Sequence, residues 1–173
     1  MIGEGKGAAR IYAKARRLVS HRKDIERELC TRSLARFMSA GWHVIESEPL
    51  IPGPHIDAIC AHLEALTDGR IVRLVVNIAP GMLKSLMCSV FWPAWVWLRR
   101  PAWRVLTGSY DMGLATRDCV RSRDIIRSEW FTSTFAPDWR LRDDQDAKTW
   151  YENTKGGVRM AMSVAGRATG FRG

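Results

Sequence analysis

Lys84 and Ser85 stand side by side at the end of the run Ala79-Pro80-Gly81-Met82-Leu83. A lysine followed by a hydroxyl residue, placed after a glycine turn at the start of a helix, is the arrangement that holds polyphosphate. The ammonium neutralises the β- and γ-phosphate oxygens, the hydroxyl reaches magnesium, and backbone N–H groups with the helix N-terminus complete the cradle. The usual spacing, G-x-x-x-x-G-K-[ST], is not met, because its two glycine positions carry Ile78 and Leu83. Gly81 remains inside the loop and is free to take a positive φ. Pro80 stiffens the approach. Leu83 must accept whatever backbone angles the loop needs. Two readings stay open on these residues alone: a reworded phosphate loop, or an ordinary helix start whose Lys84 is solvated.

Other candidates carry less. Asp143, Asp144 and Asp146 would supply oxygens to a metal ion. With no partner carboxylate to place beside them they read better as a solvated acidic loop. His55 and His62 are spaced to share one helix face, where a surface pair is the plainer alternative to a metal site. Trp92, Trp95 and Trp97 have the rings to stack on bases. They sit in the most apolar stretch of the chain, which favours burial.

The elements that must position the loop follow from periodicity and punctuation. Residues 8–40 contain no proline and read as one long helix or two shorter ones. Leu18, Ile25, Leu29, Phe37 and Met38 fall along the apolar side of that segment, with arginines and lysines over the rest. The stretch 47–55, with three prolines and a glycine, is a linker. Residues 55–67 have helical spacing at Ile56, Ile59, Leu63 and Leu66, ended by Asp68-Gly69. The β-branched run 70–79 predicts a buried strand. A helix after Ser85 is kinked or ended by Pro93. Residues 103–110 predict a second strand, and 111–131 a helix with Leu114, Cys119, Ile125 and Ile126 inward. A polar, irregular stretch leads to a third strand at 158–166. This order suggests an α/β layered fold with a largely parallel sheet, whose ligands sit at the carboxyl ends of strands.

The chain has 173 residues, enough for one domain with a core, and 27 basic against 18 acidic side chains give a net charge of +9. That balance favours polyanionic partners. The four cysteines, Cys30, Cys60, Cys88 and Cys119, show no C-x-x-C spacing. They argue against a zinc site or a disulfide scaffold and for free thiols in a reducing compartment. The first residues are basic without an apolar core of a signal peptide, and the apolar stretch 86–98 is too short to span a bilayer. The expectation is a soluble intracellular protein.

Several blocks, in order, resemble the large terminase subunit of tailed phages, the motor ATPase of viral DNA packaging. Residues 55–97 look like its adenine-side helix, first strand and deviant Walker A loop, which in this family often reads Pro-Pro-Gly-x-x-Lys-Ser. Residues 109–131 resemble the following strand and helix, and 156–173 the glycine-rich approach to Walker B. The resemblance covers roughly residues 30–173. It implies a P-loop NTPase-like layered fold with a mostly parallel sheet, incomplete, over 47–173. A basic helical segment precedes it over 1–46. It implies ATP and Mg2+ as ligands. Pro80, Gly81, Met82, Leu83, Lys84 and Ser85 would surround the phosphates, Ser85 would hold the metal, and His55 would lie near the base. Arg172 matches an arginine some relatives use as a finger toward a neighbouring subunit; a surface-loop arginine is the alternative, and Arg167 is a second candidate. The implied partners are double-stranded DNA, the small terminase subunit, the portal and a homo-oligomeric ring in the full-length protein, in the cytoplasm of a bacterial host. No membrane is implied. The family pattern continues into an acidic Walker B strand and a nuclease domain that this sequence does not show, so the expectation is a truncated chain that binds nucleotide but hydrolyses it barely above background. Another P-loop DNA-dependent ATPase, helicase-like, and a non-enzymatic basic nucleic-acid-binding module remain the alternatives.

Overall fold

A computed structural model describes residues 4–163, with side chains from Leu18 onward apart from Gln145. Arg167, Arg172 and the end of the predicted third strand lie outside the described residues. The elements are α1 Glu4–Arg32, α2 Leu34–Gly41, α3 Pro54–Thr67, a π-helical turn Leu86–Phe91 that runs directly into α4 Trp92–Arg99, β1 Arg104–Ser109, α5 Met112–Arg127, α6 Glu129–Phe135, β2 Leu141–Asp146, β3 Trp150–Asn153 and β4 Val158–Ser163.

The first helical segment divides at Ser33. Its hydroxyl accepts from Arg36 N and caps α2. The break frees backbone groups that other elements satisfy. Leu34 N donates to Glu64 Oε1 of α3 at 2.6 Å, so the Cys30 carbonyl four residues back loses its helical donor. Trp95 Nε1 of α4 replaces it at 2.8 Å. Three helices are thereby tied at one point. Phe37 and Met38 are fully buried, as their spacing predicts, but Leu18, Ile25 and Leu29 are not: they are 63%, 47% and 51% exposed. The apolar stripe of α1 therefore joins the core only from Cys30 onward, where α2 turns the chain back across α3 and α4.

The sheet has the order β1-β4-β3-β2. Only β1 and β4 are parallel, with Arg104 opposite Val158 and Ser109 opposite Ser163. The other two pairs are antiparallel. The expectation of a mostly parallel sheet is corrected for two reasons. First, the polar stretch before β4, read as irregular, forms β2 and β3, and short turns between consecutive strands enforce antiparallel pairing. Second, residues 70–79 form no ladder. They keep a strand's alternation from residue 74, with Leu74, Val76 and Ile78 packed on the core and Val75 92% exposed. No neighbouring strand among the described residues takes up their backbone. The side-chain pattern of a buried strand is present without the partner that makes one.

The helix after Ser85 passes through Pro93 and runs to Arg99, rather than ending near Phe91. Proline has no N–H to give to the carbonyl four residues back, that of Ser89. The π-helical turn shifts the register, with Trp92 N bonding Met87 O. Arg159 Nη2, from β4, donates to Ser89 O at 2.8 Å. Trp95 and Trp97 are wholly buried and Trp92 half-buried, with its Nε1 on Thr67 Oγ1, which leaves none of the three stacking on solvent.

Candidate phosphate-binding loop

Residues 78–86 wrap one cavity of about 510 Å³, lined by Ile78 through Leu86 and by Arg117. Pro80, Gly81, Met82, Leu83, Lys84 and Ser85 are thus brought together around one space. Gly81 has φ 83°, and Leu83 has φ 60°. Leu83 occupies the position where the usual loop has glycine, and it adopts the left-handed backbone that glycine would supply freely. For a leucine this costs about 1 to 2 kcal/mol. Such strain persists where the surroundings over-determine it. Here the Leu83 side chain packs on the core, and its carbonyl accepts from Met87 N at 3.0 Å at the start of the following helix.

The helical body begins at Lys84, so Lys84 and Ser85 form its first residues and both line the cavity. The Lys84 and Ser85 side chains are exposed and make no ion pair or hydrogen bond among the described residues. Two cations and no carboxylate line the cavity. That donor set suits an anion and gives a metal ion only Ser85 Oγ, so magnesium would arrive carried by phosphate oxygens.

Arg117 is the residue that reading the sequence missed. Asp111 caps α5 by accepting from Leu114 N at 2.9 Å, directly after the carboxyl end of β1. Arg117 follows one turn later. The rule that ligands gather at carboxyl ends of strands points to this helix start, which follows β1.

His55 lies elsewhere. It lines a separate cavity of about 260 Å³ between α3 and residues 74–78, together with His62 and Asn77. Ile78 is common to both cavities. The two histidines do share a helix face, yet among the described residues no group of three His, Cys, Asp or Glu is placed to hold a metal. Asp144 pairs with Arg142, and Asp146 with Arg123 and Arg127, so these carboxylates of β2 serve ion pairs. Burial pushes the Cys30 thiol up to about 11 and Cys60 up to about 12. Cys88, one turn after Lys84, is also raised by burial, with Lys84 opposing. These thiols are protonated near neutral pH and offer no nucleophile to the loop.

No protein-family model matches the chain, and neither does any curated protein or solved structure. Among the described residues no helix is long and apolar enough to cross a membrane.

Proposed function

We propose that the chain binds a nucleoside triphosphate, ATP with Mg2+, through residues 80–85, as the nucleotide-binding part of a terminase-like DNA-packaging motor with a P-loop type of layered fold. The observation that carries this reading is the backbone of the loop: Gly81 and Leu83 both take positive φ around a cavity that gathers Lys84, Ser85 and Arg117. An ordinary helix start needs neither left-handed residue. Strain held at a leucine, beside a cationic cavity without acids, favours a loop shaped for an anion.

In this reading Lys84 takes the β- and γ-phosphate oxygens, Ser85 completes the coordination of a magnesium ion carried in by the nucleotide, and loop amides cradle the phosphates. The cavity at His55 and Asn77, which meets the loop at Ile78, is the space on the base side. No lining residue is an acid that would orient an attacking water, so binding is the activity to measure first. Calorimetry with Mg-ATP is expected to give a dissociation constant between about 1 μM and 1 mM, equivalent to about 4 to 8 kcal/mol. Lys84→Ala is expected to weaken it at least about tenfold. Equal affinity of parent and variant removes the assignment.

The macromolecular partners rest on the resemblance and on charge: double-stranded DNA, a small terminase subunit, a portal and further copies in a ring, in the cytoplasm of a bacterial host. Among the described residues, Arg22, Lys23 and Arg32 of α1 are exposed. DNA held by such a surface is bound through phosphates and releases counterions. Fluorescence anisotropy with duplex DNA is expected to show affinity falling by about tenfold or more between 50 and 200 mM salt. A salt-independent signal, or none at low salt, excludes that contact.

A further inference from the structure

We propose that a small monovalent anion, of the size of chloride, binds inside the protein between α5 and strands β3 and β4, where it neutralises Arg159. The inference stands apart from the nucleotide reading. Arg159 is 1% exposed. Its terminal nitrogens donate only to neutral oxygens: Nη1 to Thr107 Oγ1 at 2.7 Å and Met160 O at 3.1 Å, and Nη2 to Ser89 O at 2.8 Å. Among the described residues no carboxylate forms an ion pair with it. A guanidinium does not give up its proton in a protein, so the interior holds a full positive charge. Burying such a charge is costly unless a counter-charge stands beside it.

Donors for that ion are gathered around the guanidinium. Arg159 Nε is buried without a partner, and so are Tyr151 Oη, Ser122 Oγ and Arg123 Nε. The strand register sets Tyr151 of β3 directly opposite Arg159 of β4, which puts both side chains on one face of the sheet. Helix α5 packs on β4 and presents Ser122, wholly buried, beside the Tyr151 phenol. All four atoms can donate, so one acceptor between them would satisfy them together. A water molecule could accept but brings no charge. The protein's own groups do not bring it either. Burial pushes the Tyr151 phenol and the Cys119 thiol up, with Arg159 opposing in both, so both stay neutral near neutral pH. Asp146 is engaged by Arg123 and Arg127. Because the four unpartnered atoms are closed to solvent, the ion must be small.

The test uses the full chain and follows thermal unfolding at constant ionic strength as sodium gluconate, too bulky for an enclosed site, is replaced by sodium chloride or bromide. The midpoint is expected to rise by about 4 to 8 °C between about 5 and 500 mM halide and to level off as the site fills. Tyr151→Phe combined with Ser122→Ala removes two donors with little change of volume and is expected to lose about half of that rise or more. Arg159→Met is expected to abolish it; should that variant fail to fold, the double variant decides. Anomalous diffraction from crystals grown in bromide is expected to place one ion between α5 and the β3–β4 pair. A parent that responds equally to gluconate and halide overturns the proposal and leaves these donors to water. So does a halide response that survives undiminished in the double variant, or bromide found at the surface alone.

Discussion

Trp95→Ala is expected to destabilise the protein by about 3 to 5 kcal/mol, lowering the urea midpoint of a single cooperative transition. The indole is completely buried on α4 and packs within the cluster that joins α1, α2 and α3. Removing a large aromatic side chain there leaves a cavity that the surrounding helices fill only in part. The substitution also orphans a backbone group. Cys30 O has lost its own helical donor to the Glu64 carboxylate, and Trp95 Nε1 is the replacement. A buried carbonyl without a partner adds about 1 to 3 kcal/mol. Trp95→Phe separates the two effects, since it keeps most of the ring and loses the donor. It is expected to lie about halfway between parent and alanine. A loss under about 1 kcal/mol for Trp95→Ala means that the junction of the three helices is not held in this way.

The tie at Trp95 shows where sequence reading stops. The apolar character of residues 86–98 makes Trp95 and Trp97 core residues at first sight, and the structure buries them. That one indole serves a carbonyl 65 residues away depends on a helix break at Ser33 and a carboxylate on α3. Those are long-range facts with no local pattern. The same division runs through the chain. Helix α3 was legible at both ends because Pro54 and Asp68-Gly69 punctuate a clean period, and Gly69 does take a positive φ of 75°. Strand β1 was legible from its β-branched and aromatic run. Strands β2 and β3 were not, because β2 is a charged edge strand whose Arg142 and Asp144 pair at the surface while Asp146 pairs with Arg123 of α5, which erases alternation. Residues 70–79 mislead in the other direction: alternation fixes which side chains face the core, but a ladder also needs a neighbour.

The loop was legible as a grouping of residue types, and its backbone was not. Leu83 in a left-handed conformation is the outcome that propensity least favours. The helix behind the loop is likewise supported from afar. Arg159 of β4, 1% exposed, donates to Ser89 O inside the π-helical turn and to Thr107 Oγ1 of β1. One buried guanidinium thus joins the helix that carries Lys84 and Ser85 to both parallel strands. It compensates a carbonyl that Pro93 leaves open, so a residue that ought to end a helix is tolerated within it. Sequence position gives no hint of that pairing, since Ser89 and Arg159 are 70 residues apart.

Gly157→Ala is expected to cost about 3 kcal/mol or more, while the same change at its neighbour Gly156 costs only about 1. The two glycines are needed for different reasons. Gly156 turns the chain between β3 and β4 with φ 82°, and a methyl group there meets nothing within 4 Å, so only the backbone conformation resists substitution. Gly157 is conformationally ordinary but has no room. A Cβ built on it lies 2.1 Å from Pro101 O, 2.5 Å from Asn153 Nδ2 and 3.0 Å from Trp97 Cε2. The nearest of these is backbone, which cannot rotate away. The second belongs to a carboxamide held at both ends: Nδ2 donates to Pro101 O at 2.8 Å, and Oδ1 accepts from Lys155 N at 2.9 Å and Gly157 N at 3.0 Å. The third is a buried ring whose Nε1 donates to Trp103 O. Relief of the clash must separate the β3–β4 corner from the connection between α4 and β1. That either breaks the Asn153 bonds in a buried setting or shifts Trp97 against Trp139 and Tyr151. Each route leaves buried polar groups unpaired or opens a gap in the aromatic core. Because β1 registers against β4 directly after this corner, the loss should also reach α5 and loosen Arg117. Chemical denaturation of both variants, read by tryptophan fluorescence, ranks them. Equal small losses at 156 and 157 would show that the corner has slack that these distances do not allow.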